Sequence, residues 1–273
     1  AKLCKVKFKS ITAYTGCAIS FICAVLSKEN AIVFPAVLVL IHWIFFIDKK
    51  IAGKHLKFWL CGLIICILAV ILASILYLNS QPVKELYALR FFTPLERLLT
   101  QTRIMFLYFY QIFYPIPSQF QVEHYIILSK SLLSPISTLF SVVGVSLMLI
   151  FGLVFTKRWP LISFAILFYF GCHVIESTII PLELVYEHRN YIPSMFIFLP
   201  VVVVFFKLLS YFKEKLLIKN SLIVTGLVII IMVGFSAFLR NQVWQSEENL
   251  YLSAIAKYPQ LSRAYNNLGV VMK

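Results

Sequence analysis

The sequence predicts an all-α polytopic membrane domain: a transmembrane helical bundle of about seven spans plus one interfacial or re-entrant helix, followed by the start of a helical repeat solenoid. Three observations predict it. The 273 residues are 61% hydrophobic and only 13% charged, against about 25% charged residues in a soluble domain. Apolar runs long enough to enter a bilayer recur along the chain, separated by short charged clusters. From about residue 241 the composition turns polar while keeping a helical pattern. The expected boundary lies there, with a membrane domain over 1–240 and the start of a repeat domain over 241–273.

The expected spans are 11–26, 31–47, 58–78, 136–156, 160–175, 191–209 and 221–239. A tight hairpin, Ser27-Lys28-Glu29-Asn30, joins the first two. Lysine and arginine clusters precede the first span (Lys2, Lys5, Lys7, Lys9) and follow the second (Lys49, Lys50, Lys54, Lys57), the fourth (Lys157, Arg158) and the sixth (Lys207, Lys213, Lys215, Lys219). With seven spans all four clusters fall on one side, the cytoplasmic side by the positive-inside rule. The 27–30 turn, the 79–135 region, the 176–190 loop and the tail then face outward. The 97–114 segment is long enough for a helix, but Arg97, Gln101 and Arg103 make its first half polar. It reads as the interfacial or re-entrant helix on the outer face.

The tail carries Pro259 and then AYNNLG at 264–269. In one register Tyr251, Ala254, Pro259, Leu268 and Gly269 meet the consensus of a tetratricopeptide repeat, and so short an array predicts further repeats beyond it. The chain begins with Ala and stops inside this pattern, which predicts a piece of a longer protein.

Net charge is +14. The cations lie between apolar runs, so the bilayer is their expected partner and nucleic acid is not. None of the six cysteines forms a CxxC pair, and no spacing predicts a metal site, a phosphate-binding glycine loop or a serine-hydrolase motif.

Chemistry is expected in the 176–194 loop. It gathers Glu176, Glu183, Glu187, His188 and Arg189 next to membrane, where charge persists only if water or a polar ligand meets it. A helical turn between Pro181 and Pro193 would put Glu183 and Glu187 on one face. Such carboxylates can orient an acceptor hydroxyl or hold a divalent cation, and the cations can hold a phosphate leaving group. Glu176, Glu183 and Glu187 are therefore the catalytic candidates. Lys28, Glu29, His188, Arg189, Arg97 and Arg103 are the candidates for substrate binding. His173, three residues from Glu176, could share its helical face, whereas His42 reads as a packed histidine.

SKENAIVFP at 27–35, TPLERLLTQTR at 93–103 followed by Tyr114-Pro115, and GCHVIESTIIPLELVYEHRNYIP at 171–193 together resemble a known family. It comprises bacterial membrane proteins that end in tetratricopeptide repeats and are similar to the transmembrane and tetratricopeptide repeat-containing O-mannosyltransferases. The resemblance implies a GT-C-type glycosyltransferase fold and transfer of a sugar from a polyprenyl-phosphate donor to a protein or glycan acceptor held by the repeats. It further implies a bacterial inner membrane with periplasmic repeats, and a catalytic acid in an external loop before Ala1. The alternative is a non-catalytic anchor or scaffold that displays the repeats to partner proteins. A transporter fits less well, because the spans carry few ionisable residues.

Overall fold

The computed structural model describes residues 2–46, 72 and 74–273, and the side chains of all of these but 2–11 and 29. Lys2–Ser27 leads through a 3-10 turn, Glu29–Val33, into Phe34–Ile41 and a π-helical turn, His42–Phe46. Gln81–Ala88 and Pro94–Phe113 follow, then Ser137–Val154, Pro160–His173, the single turn Tyr191–Ser194, Leu199–Tyr211 and Leu216–Val243. Glu247–Lys257 and Ser262–Val271 close the chain.

The expectation of about seven spans is corrected. Among the described residues two helices are long and apolar enough to cross a bilayer, Ser137–Val154 and Leu216–Val243; a bent pair raises the number to three. The other expected spans fail for separate reasons. Pro160–His173 has 14 residues, a rise of about 21 Å against a hydrocarbon core of about 30 Å. The 31–47 segment changes pitch twice, from 3-10 to α to π. The 191–209 segment breaks after Ser194 and bends by 50° before Leu199–Tyr211; Pro193 and Pro200 remove amide donors on either side of the break. Of Lys2–Ser27, the described side chains form the apolar stretch Thr12–Ser27, and Lys2, Lys5, Lys7 and Lys9 lie before it. Most of the 58–78 segment, and the Lys49–Lys57 cluster, lie outside the described residues. The one-sided placement of the lysine clusters rested on the parity of seven spans and falls with it. Two span-length helices still make this a membrane-associated protein, and the apolar side chains along Leu216–Val243 are almost all exposed, as contact with lipid tails requires.

Pro94–Phe113 organises the centre. Thr93 caps it: its hydroxyl accepts from the Glu96 amide at 3.3 Å, and the Glu96 carboxylate accepts from the Thr93 amide at 2.8 Å. Pro94 supplies the first helical φ without needing a donor partner. This is the helix expected at the interface, but its polar residues do not point at headgroups. Arg97, Thr100, Gln101, Tyr108 and Gln111 recur at three-, four- and seven-residue intervals on one buried face. The irregular 176–190 segment covers that face.

An apolar core of Phe92, Ile104, Met105, Tyr108, Tyr169, Phe170, Leu184, Val185 and Ile197 lies beneath. Phe109 stacks on Tyr169 at 4.2 Å between ring centroids. Ser137–Val154 packs between Pro94–Phe113 and Pro160–His173. A second cluster, Val37, Phe164 and Phe168, joins the first hairpin to Pro160–His173. The two terminal helices pack on each other, and each contributes one fully buried alanine, Ala254 and Ala264.

Removing the cap tests the local logic. Thr93→Ala is expected to cost about 1 kcal/mol, read as a lowered midpoint of thermal unfolding in detergent, with Glu96→Gln giving a smaller loss.

Candidate functional site

The 176–190 segment is held by its backbone. Pro181 interrupts amide donation, and the chain from Pro181 to Tyr186 is irregular rather than helical. Its carbonyls have no helical partners, and those that are covered must find a donor elsewhere. The buried face of Pro94–Phe113 and the residues before it supply them. Arg97 donates Nη2 to the Glu176 carbonyl at 2.8 Å, Nε to Thr178 at 2.8 Å and Nη1 to Leu182. Tyr87 donates to the Ile179 carbonyl at 2.5 Å and Arg90 Nε to Pro181 at 3.1 Å. Gln101 donates to Leu184 at 2.9 Å and Tyr108 to Tyr186 at 3.0 Å, while the Tyr186 amide donates back to the Tyr108 hydroxyl at 3.1 Å.

Arg97 is 0% exposed. Burial lowers its pKa to about 10, and the neighbouring Arg189 and Arg90 charges act the same way, yet it stays a cation at neutral pH. Expected from sequence to bind an anionic substrate, it is occupied instead by loop carbonyls. Arg103 is similarly engaged, donating to the Ile127 carbonyl at 2.7 Å and lying 3.4 Å from the Ser129 hydroxyl.

The three expected catalytic carboxylates separate. Because the 181–186 stretch is not helical, Glu183 and Glu187 do not share a face. Glu176 receives the Asn30 amide on one oxygen and Arg189 Nε at 3.0 Å on the other, and the Glu176 and Arg189 side chains are 8% and 4% exposed. Arg189 also donates Nη1 to the Glu183 carbonyl at 2.6 Å. Glu183 itself pairs with Arg90 at 2.6 Å and Arg263 at 3.5 Å. Glu187 accepts from the Gln121 amide at 2.6 Å and meets His124 Nε2 at 3.0 Å. His173 turns from Glu176 to stack on Tyr108 at 5.5 Å, and His42 stacks on Phe46 at 6.3 Å. Among the described residues no three His, Cys, Asp or Glu side chains converge to hold a metal ion.

Lys28 and Arg189, 161 positions apart, meet at one cavity of about 270 Å³. Lys28, Asn30, His188 and Arg189 form its polar part, and Val33, Phe34, Val37, Phe168, Cys172 and Ile192 its apolar part. The side chain of Glu29 lies outside the described ones, and its backbone opens the 3-10 turn beside the cavity. Tyr186 braces the polar end, with the Arg189 guanidinium 4.8 Å above its ring and His188 stacked at 5.2 Å. Asn30 is what sequence reasoning missed. It stands inside the recognisable hairpin, but nothing in the sequence shows that it reaches Glu176.

The fold and this cavity define a membrane-associated helical protein with a recess that joins Lys28 and Arg189 to apolar side chains. The chain is similar to the protein O-mannosyl-transferase tmtc2 of Xenopus laevis, at 37% identity over 87 residues. The similarity covers 32% of this chain and 10% of that protein. No family model and no solved structure matches.

Replacing Arg97 tests the comb of donors. Arg97→Met is expected to cost roughly 3 kcal/mol or more, because several buried carbonyls lose a charged donor together. Amide hydrogen exchange in the 176–190 segment should rise while that of Leu216–Val243 stays unchanged.

Proposed function

We propose that this protein is a membrane glycosyltransferase of the GT-C type. It takes a sugar from a polyprenyl-phosphate donor and passes it to a hydroxyl acceptor. The observation that carries this reading is the convergence of Lys28 and Arg189, with Asn30 and His188, on a cavity whose other lining is mostly apolar. A polyprenyl phosphate has the matching anatomy, with an anionic head and a hydrocarbon tail. The 37% identity to an O-mannosyl-transferase supports the same class of reaction.

In this reading the acceptor oxygen bonds to the anomeric carbon as the bond to the phosphate oxygen breaks. The phosphate leaves with the electron pair and takes up the proton released by the acceptor hydroxyl, and Lys28 and Arg189 stabilise its developing charge. Glu176 does not take part covalently: with both oxygens engaged it holds Arg189 and Asn30 in place. The tail, read as the start of a tetratricopeptide repeat domain, presents the acceptor.

Lys28 is the cleaner test, because it is exposed and carries no buried pair. Lys28→Ala is expected to weaken polyprenyl-phosphate binding about tenfold, equivalent to about 1.4 kcal/mol, measured by native mass spectrometry of the full-length protein. Lys28→Arg should retain binding. If the wild type binds no polyprenyl phosphate, with or without a sugar, the donor assignment is wrong and the anchor reading takes its place.

A further inference from the structure

A second cavity, of about 360 Å³, lies where the 122–126 segment, the 183–186 stretch and the two terminal helices meet. The donor reading does not use it. Glu123 and Glu183 stand in its wall, and Arg263 of the last helix spans them at 3.3 and 3.5 Å. Asn267 lies 3.5 Å from Glu123. The Glu123 side chain is 11% exposed, and burial pushes its carboxyl above the usual range. Tyr186 and Tyr251 bring aromatic rings to the same wall, and His124, fixed by Glu187, completes it.

We propose that this crevice is the acceptor site and that the acceptor it takes is a neutral carbohydrate; the proposal rests on the transferase reading. Three features point to that class. First, charge is balanced locally. The carboxylates of Glu123 and Glu183 face the guanidiniums of Arg263 and Arg90, which suits a ligand with hydroxyls and no net charge. Second, one small wall mixes carboxylate acceptors with guanidinium and amide donors, and a sugar hydroxyl needs both. Tyr251, among the lining residues, is the aromatic group available to the C–H face of a pyranose. Third, the backbone is already taken. The carbonyls of Leu182, Glu183, Leu184 and Tyr186 accept from Arg97, Arg189, Gln101 and Tyr108. A peptide adding as a strand would find these acceptors occupied.

Tyr186 ties the crevice to the donor cavity. It lines the crevice, and its ring carries Arg189 and His188, which line the other cavity. An acceptor hydroxyl seated against Tyr186 is therefore close to the phosphate end of the donor. Since Tyr251, Arg263 and Asn267 come from the terminal helices, the site is complete only with those helices docked.

The test uses the full-length protein in lipid nanodiscs. Neutral disaccharides of glucose, galactose, mannose and N-acetylglucosamine are probed by saturation-transfer NMR, and a polyprenyl phosphate by native mass spectrometry. At least one disaccharide is expected to bind. Tyr251→Ala and Glu123→Gln should each weaken it about tenfold or more and leave the polyprenyl phosphate bound as in the wild type, which also shows the fold intact. Tyr251→Phe should restore saccharide binding. Absence of any saccharide binding alongside normal lipid-phosphate binding overturns the crevice proposal and spares the donor reading. Binding of a short serine- and threonine-containing peptide that the same two variants abolish, with no saccharide bound, overturns it in favour of a protein acceptor. Saccharide binding without lipid-phosphate binding sinks the donor reading and leaves the crevice a carbohydrate site.

Discussion

The guanidinium of Arg97 is the constraint on which the rest of the structure depends. An irregular segment packed on a helix carries carbonyls that no helical ladder satisfies. Arg97 answers three of them from a position with no exposed surface, and Tyr87, Arg90, Gln101 and Tyr108 extend the set along the segment. Burying a cation is expensive unless hydrogen bonds compensate it. Here the cost of the cation and the cost of the orphan carbonyls offset each other. Both cavities inherit their shape from that exchange, because both are walled by the segment it fixes.

Ion pairing then distributes the loop's charge. Glu176 anchors Arg189 from inside, Glu183 faces Arg90 and the tail, and Glu187 holds His124. Each carboxylate gained a different neighbour as the chain folded, which is why one short stretch of sequence serves two separate recesses. The buried Glu176–Arg189 pair costs desolvation that its geometry has to recover, and the extra bonds from Asn30 and to the Glu183 carbonyl contribute that recovery.

Much of the site's location was legible, and much of its construction was not. Charge crowded between apolar runs marked the 176–194 loop, and the hairpin at Lys28 was linked to it by the outward face expected for both; the fold brings Lys28 and Arg189 to one cavity. The bonds of Arg97 and Arg103 to backbone carbonyls were not legible, because a carbonyl acceptor leaves no trace in a sequence. The span count failed on continuity. Hydropathy sees that 160–175 and 191–209 are apolar, but not that one helix is 14 residues long and the other segment bends by 50°. The helical pairing of Glu183 with Glu187 failed because Pro181 and the backbone donors favour an irregular path. Asn30, Tyr108 and Arg263 could be found only by folding the chain, since their partners lie between 78 and 146 positions away.

Because the donors to the 176–186 stretch grip its carbonyls, they are indifferent to most of the side chains that stretch displays. Shape and chemistry are thereby inherited separately. A substitution at Glu183 or His188 can change what the recesses recognise without disturbing the path of the chain that builds them. The same frame accommodates different recess linings while Arg97, Gln101 and Tyr108 stay put.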